Sequence, residues 1–154
     1  MAILAEMPEL IIVKPHMQEY IEVSTLIMSI VEEFTDLVEP YSKDELYADF
    51  TGSMLLFGID PIDMAKQIQN KILNETGVFA RAGIGENKII SKLCCDMIAK
   101  KVEGGIFHLK KEELHKQIGH NPVRDMWGDQ ECKSICGTWG LERFRIWRIL
   151  RLPN

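Results

Sequence analysis

The chain has 154 residues, of which 46% are hydrophobic and 27% charged, and these are ordinary proportions for a soluble globular domain. No apolar run approaches the roughly 20 residues that span a bilayer, and the start lacks the basic cluster of a secretory signal, so we predict no membrane association. A net charge of −5 argues against strong DNA binding by the chain alone. Its cysteines suggest no disulfide framework, and we expect a cytoplasmic protein with reduced thiols.

The first predicted elements are a short strand and a long helix. Residues 10–13 are a β-branched run that ends at Lys14 and Pro15. Residues 16–37 then show the apolar spacing of one helical face, with Tyr20, Val23, Leu26, Ile27, Ile30, Val31 and Phe34 on it. A turn follows, and residues 46–51 have strand character up to Gly52.

The remaining elements alternate helix and strand. Asp60 and Pro61 predict the N-cap and first residue of a helix, whose inner face contains Ile62, Met64, Ala65, Ile68, Ile72 and Leu73. Further along, we predict a strand at 78–84, a helix at 88–101, a strand at 106–109 and a short charged helix at 111–118. This order predicts an α+β fold with a sheet of three to four strands and helices packed mainly on one face.

Two adjacent carboxylates, Asp44 and Glu45, stand at the start of the 46–51 segment. Neighbouring side chains on an extended chain point to opposite faces, but a bulge or strand start can bring both to one divalent cation. Such pairs suit metal-assisted phosphoryl chemistry. A solvated acidic turn would show the same spacing, so the pair alone leaves both interpretations open.

Four segments of the chain, in order, give the pair its context. The run LVEPYSKDELYADFTG (residues 37–52) is followed by AGIGENK at 82–88 and DMIAKK at 96–101, and then by VRDMWG at 123–128. Together they resemble the palm and the thumb opening of the Y-family lesion-bypass DNA polymerases, the UmuC/DinB or ImpB/MucB/SamB type. Residues 11–15 resemble the exit from that family's fingers. The resemblance covers residues 9–128.

The resemblance implies a domain organisation and a set of site residues. Residues 1–36 would be the end of the fingers and a leading helix, 37–109 the palm, and 110–128 the start of the thumb. Asp44 and Glu45 would hold Mg²⁺ as catalytic, metal-binding residues. Lys100, with Lys101 as the alternative one position later, would bind the triphosphate. Damaged DNA and a dNTP are the partners implied for the intact family member.

Departures from the family pattern concern activity. The family's first palm strand carries a third metal-binding aspartate, and residues 1–8 show nothing similar. Lys43 also replaces the isoleucine that precedes the acidic pair in the family. Residues 129–154 are an atypical tail with a basic and aromatic composition, which we interpret as frameshift-derived; a genuine docking helix is the alternative. We therefore expect a truncated polymerase that is inactive alone, with weak or no DNA binding, and leave its status as an enzyme open.

Two other functions fit the sequence. A non-catalytic module could self-associate as a homodimer, through the apolar side chains of the tail, or bind a repair partner. A small metal-dependent nuclease or phosphatase could use the same acidic pair. Light scattering distinguishes the first of these from a monomer, and calorimetric titration with Mg²⁺ and Mn²⁺ tests the second.

Overall fold

The computed structural model describes residue 11 and residues 13–120 of the chain. Within this part, the helices and strands follow one another in the order α1 (Met17–Glu32), β1 (Val38–Ser42), β2 (Glu45–Ala48), α2 (Thr51–Phe57), α3 (Pro61–Thr76), β3 (Ala82–Ile84), α4 (Lys88–Met97), β4 (Ile106–His108) and α5 (Leu114–Gln117). Short 3₁₀ turns lie at Ala99–Lys101, Glu103–Gly105 and Lys111–Glu113. The predicted α+β class is confirmed. No helix in the described residues is long and apolar enough to cross a membrane.

The strands of the described residues pair as two sheets of two strands each. β1 and β2 form an antiparallel hairpin, whereas β3 and β4 pair in parallel. The prediction of three to four strands in one sheet is therefore met in strand number, but the strands are divided between two pairs. The parallel pair needs a crossover, which α4 and the two 3₁₀ turns after it provide.

Two hydrophobic clusters connect the helices with the two strand pairs. The first joins α1 to α3 and to the inner face of the hairpin, with Ile30, Val31, Met64, Ile68 and Ile72 buried in it. The second joins α4 to β4 and α5, with Ile90, Leu93, Cys94, Leu109 and Ile118 buried. Only part of the predicted α1 face is covered, because Tyr20, Val23 and Leu26 remain exposed while Ile30 and Val31 are buried.

Local polar contacts decide where several elements begin and end. The Asp60 side chain accepts a hydrogen bond from the Ile62 N–H, and Pro61 opens α3, which confirms the predicted cap. The strand predicted at 46–51 ends instead at Ala48, and α2 begins at Thr51 after a turn in which the Asp49 carboxylate accepts from the Thr51 N–H at 2.9 Å. No helix is predicted from the sequence at the position of α2.

Two other predicted elements are shorter in the structure. The strand predicted at 78–84 covers only Ala82–Ile84, because the Ala80 carbonyl accepts its hydrogen bond from the Gln69 side chain rather than from a neighbouring strand. The helix predicted at 88–101 ends at Met97, since Ile98 leaves helical geometry at φ −120° and ψ −61°, and the chain continues as a 3₁₀ turn.

Several predictions lie outside the described residues. They include most of the strand predicted at 10–13, the motif at 123–128 and the atypical tail at 129–154. The domain boundaries given above remain predictions.

Candidate active site

The acidic pair lies at the turn of the β1–β2 hairpin. Pro40 pairs with Leu46, but Ser42 pairs with Glu45, so Tyr41 is an extra residue on β1 and forms a bulge. A bulge twists a hairpin and changes the direction of nearby side chains. The bulge lies on β1, across from Glu45, so it changes the strand beside the acidic pair and not the segment that carries the pair.

Asp44 is exposed in the turn between the two strands. Its Oδ1 accepts a hydrogen bond from the Ser42 hydroxyl at 2.7 Å, and Ser42 Oγ in turn accepts from the Asp44 N–H at 3.4 Å. The hydrogen bond from Ser42 lowers the pKa of the Asp44 carboxyl, with a smaller contribution from the charge of Lys43. Asp44 therefore presents an ionised carboxylate to solvent near neutral pH.

Glu45 points to α4, where its carboxylate forms an ion pair with Lys92. The Lys92 side chain is only 10% exposed, and its ammonium also donates to Asp96 Oδ2 at 3.2 Å. Burial works against the charge of Lys92, but the hydrogen bonds that Lys92 donates to Glu45 and Asp96 overcome it and raise the Lys92 pKa. One buried ammonium thus connects a carboxylate of β2 with a carboxylate of α4.

A further ion pair connects α4 to the 3₁₀ turn that follows it. Asp96 Oδ1 accepts from the Lys100 ammonium at 2.6 Å, with Lys100 half-exposed. Burial alone would raise the pKa of Asp96, but the hydrogen bonds from Lys100 and Lys92 lower it below its ordinary value. Lys101 is exposed and follows in the same turn. Glu45, Lys92, Asp96 and Lys100, in this order of contact, are called the charged row below.

Aromatic side chains line the hairpin beside the charged row. The rings of Tyr41 and Tyr47 meet edge to face with centroids 5.7 Å apart, and the Lys88 ammonium lies 5.8 Å from the Tyr47 ring centroid. Lys88 also pairs with Glu39 on β1. Among the described residues no hydrogen-bond partner is found for the buried Tyr47 hydroxyl, and burial raises the pKa of this phenol. These contacts fix the hairpin against the N-terminal turn of α4.

Glycine and asparagine place α4 at the required distance from β3. A Cβ at Gly83 would lie 2.2 Å from the Ser91 carbonyl oxygen and 2.3 Å from the Cys95 nitrogen, so only glycine allows this approach of strand and helix. Asn87 caps α4 by accepting from the Ile90 N–H at 2.9 Å. The motif at 82–88 thus sets the position of Lys92 and Asp96 relative to the sheet.

A family model described as the impB/mucB/samB family matches residues 1–96, which is more than half of the chain. The chain belongs to this family. Its members are Y-family lesion-bypass DNA polymerases, and the resemblance found in the motifs is confirmed.

Curated relatives agree with the family assignment. DNA polymerase IV 2 of Bacillus subtilis (strain 168) is 51% identical over 121 residues, which cover 79% of this chain and 29% of that protein. DNA polymerase IV 2 of Halalkalibacterium halodurans is 46% identical over 161 aligned positions, covering 91% of this chain and 39% of that protein. This chain therefore spans about a third of the length of these relatives.

Solved structures show the same fold. DinB from Sulfolobus solfataricus matches with a TM-score of 0.73 at 22% identity, over 92% of this chain and 41% of that one. The insertion ternary complex of Dbh DNA polymerase also matches with a TM-score of 0.73 and 22% identity, over 91% of this chain and 40% of that one. At this identity the likeness speaks for the fold alone.

The ImpB/MucB/SamB motifs bring most predicted site residues into one region. Glu45 and Lys100 are connected through Lys92 and Asp96, and Asp44 lies beside Glu45 at the turn. Asp96 belongs to the segment DMIAKK and Lys92 lies between that segment and AGIGENK, and the resemblance implied no role for either. Asp96 lies four residues after Lys92, and Lys100 lies four residues after Asp96. Because this spacing aligns side chains on one helix face, it was the signal in the sequence that predicts ion pairs among these three residues.

The donor groups of the site are those that Mg²⁺ prefers. Asp44 and Glu45 offer carboxylate oxygens, and Glu45 already has a cation, the Lys92 ammonium, at its carboxylate. Proteins commonly hold Mg²⁺ with one or two carboxylates and leave its other positions to water and substrate phosphates. In the part of the chain that the structure describes, no three Asp, Glu, His or Cys side chains converge on one metal position. A magnesium ion held by the pair would therefore take its remaining ligands from water and substrate.

Proposed function

We propose that the acidic pair and the charged row form a metal-dependent nucleotidyl-transfer site of the translesion polymerase type, which acts on a damaged DNA template with a dNTP and Mg²⁺. The observation that carries this proposal is the convergence of residues from two motifs. Glu45 comes from the segment at 37–52, Asp96 and Lys100 come from the segment at 96–101, and ion pairs through Lys92 connect them.

The acidic pair, Ser42 and the two candidate lysines each have a part in this site. Asp44 and Glu45 would hold Mg²⁺, which supplies charge stabilisation to the phosphoryl oxygens when it is bound. The hydroxyl of Ser42 holds Asp44 in an ionised, oriented form through its 2.7 Å hydrogen bond. Lys100 is half-exposed at the end of the row, where its ammonium can neutralise a triphosphate, and Lys101 is the alternative.

We also propose that this 154-residue chain does not extend a primer by itself. Two facts support this: the chain spans 29% and 39% of the two relatives described above, and its charged groups are engaged with one another, Glu45 with Lys92 and Lys100 with Asp96. The net charge of −5 also opposes binding of DNA by the chain alone.

Metal binding and primer extension test these two statements separately. Loss of the free Mn²⁺ signal in electron paramagnetic resonance measures metal binding, which should weaken by about tenfold in Asp44→Asn and Glu45→Gln. Asp63→Asn is a matched control, because Asp63 is an exposed carboxylate on α3 that pairs with Lys66. If the acidic-pair variants bind Mn²⁺ as tightly as the wild type does, Asp44 and Glu45 are not the metal ligands. Asp44-dependent addition of nucleotides by the chain alone would disprove its inactivity.

A second function, self-association or binding of a repair partner, is favoured by one surface. Leu55 and Leu56 on α2 are 83% and 86% exposed. Contiguous exposed apolar surface marks contacts with other molecules, and we propose that these adjacent leucines contribute to such a contact. The tail to which self-association was first attributed lies outside the described residues.

Light scattering coupled to gel filtration tests this second function. If the leucines mediate self-association, the wild type should show a mass that rises with concentration, and Leu55→Ser with Leu56→Ser should shift it to the monomer. A monomer at all concentrations would leave partner binding, and not self-association, as the role of this surface.

A further inference from the structure

Lys92 occupies a position that the nucleotidyl-transfer chemistry does not explain. It lies between the metal-binding carboxylate Glu45 and a second carboxylate, Asp96, and contacts both. Its side chain is 10% exposed, so an unpaired ammonium there would carry a desolvation cost. Lys92 therefore needs a carboxylate partner in every state of the site.

Binding of a divalent cation at Glu45 would place two cations at one carboxylate. The ammonium and the metal ion would then repel each other. Asp96 gives Lys92 a second partner, because its Oδ2 is already 3.2 Å from the Lys92 ammonium. No backbone change is needed for Lys92 to leave Glu45 and remain paired.

We propose that Lys92 is a positioning residue that competes with the divalent cation, pairing with Glu45 when the site holds no metal and moving to Asp96 when metal binds. This inference rests on the proposed function of Glu45. Lys92 keeps Glu45 aimed towards α4 before metal binds, and Asp96 makes the exchange possible. Since Asp96 also binds Lys100, the exchange connects metal binding to the lysine that faces the triphosphate.

The proposal predicts opposite effects for two neighbouring variants. Lys92→Met removes the competitor, so the affinity for Mn²⁺ should rise by about threefold or more. Asp96→Asn removes the alternative partner and confines Lys92 to Glu45, so the affinity should fall by a similar factor. A purely structural role of the row predicts weaker binding in both variants.

The double variant separates the exchange from long-range charge effects. Without Lys92, no ammonium moves from Glu45 to Asp96 when metal binds. Asp96→Asn should therefore have little effect on the affinity for Mn²⁺ in the Lys92→Met background. Lys71→Met is the matched control for lysine. Lys71 also pairs with two carboxylates, Glu33 and Glu75, but neither belongs to the acidic pair or the charged row. Asp63→Asn serves the same purpose for aspartate.

A second measurement uses the wild-type chain and avoids any effect of substitution on folding. The ¹⁵Nζ resonance of Lys92, assigned by its loss in Lys92→Met or in Lys92→Gln, should shift on titration with Mg²⁺ while that of Lys71 does not. If metal binds and neither the Lys92 resonance nor the affinity of Lys92→Met changes, the exchange is refuted although the site survives. If the wild type binds no Mn²⁺, the site and the exchange both fail.

Discussion

The buried amide of Gln69 connects α3 to the segments that lead into β3 and β4, and its removal gives the sharpest test of the fold. Its Nε2 donates to the Ala80 carbonyl at 2.6 Å and to the Gly104 carbonyl at 2.8 Å, and the residue is 8% exposed. Leucine has a similar size but no donor, so Gln69→Leu would lose both hydrogen bonds and leave two carbonyls without this donor. At about 1 kcal/mol for each bond and about 1 kcal/mol or less for each carbonyl, the free energy of unfolding should fall by about 2–4 kcal/mol.

Urea denaturation followed by circular dichroism measures this change. With a slope of about 2 kcal/mol per molar urea, the midpoint should fall by about 1–2 M. Gln67→Leu on the same helix is the matched control, because Gln67 is exposed, and it should change stability by less than about 0.5 kcal/mol. If the two variants unfold at the same urea concentration, Gln69 does not hold α3 against the segments that lead into β3 and β4.

Three other changes test separate parts of the structure. Gly83→Ala should destabilise the chain by about 3 kcal/mol or more, because its Cβ would meet the α4 backbone, while Gly52→Ala, with nothing within 4 Å, should not destabilise it in thermal unfolding. Asp60→Ala removes the α3 cap and should cost about 1 kcal/mol in the same assay. Hydrogen bonds from the lysines hold the pKa of Asp96 low in the folded state, so its stabilising contribution is present above its unfolded pKa and lost as the pH falls through the lower folded pKa. Asp96→Asn should therefore flatten the loss of stability below about pH 4 in acid titrations.

Sequence reasoning succeeded where the signal was local. Asp60 and Pro61 predicted the start of α3 because a cap acts within one turn of its own helix. The predicted helix start at residue 88 is confirmed, with Asn87 as the N-cap of α4. The family motifs likewise placed Asp44, Glu45 and Lys100 in one region, although their metal and triphosphate roles remain predictions.

The parts that the sequence did not reveal depend on distant partners. Lys92 has an ordinary helical position, and its importance comes from Glu45, 47 residues away in the chain. Gln69 was absent from the predicted inner face of α3 because a polar residue there needs acceptors from other segments, and its two lie 11 and 35 residues away. The short β3 follows from the same contact, since Ala80 has its hydrogen-bond partner in a side chain.

The bulge at Tyr41 takes up one extra residue of β1, so the direction of Glu45 does not depend on the length of β1. Removing Tyr41 would restore regular pairing and leave Glu45 facing α4, because Leu46 and Ala48 on β2 still pack against the core. Removing one residue from β2 after Glu45 would instead turn Glu45 to the opposite face. Tolerance to length change, measured by deletion scanning, would in this way report on the orientation of one carboxylate.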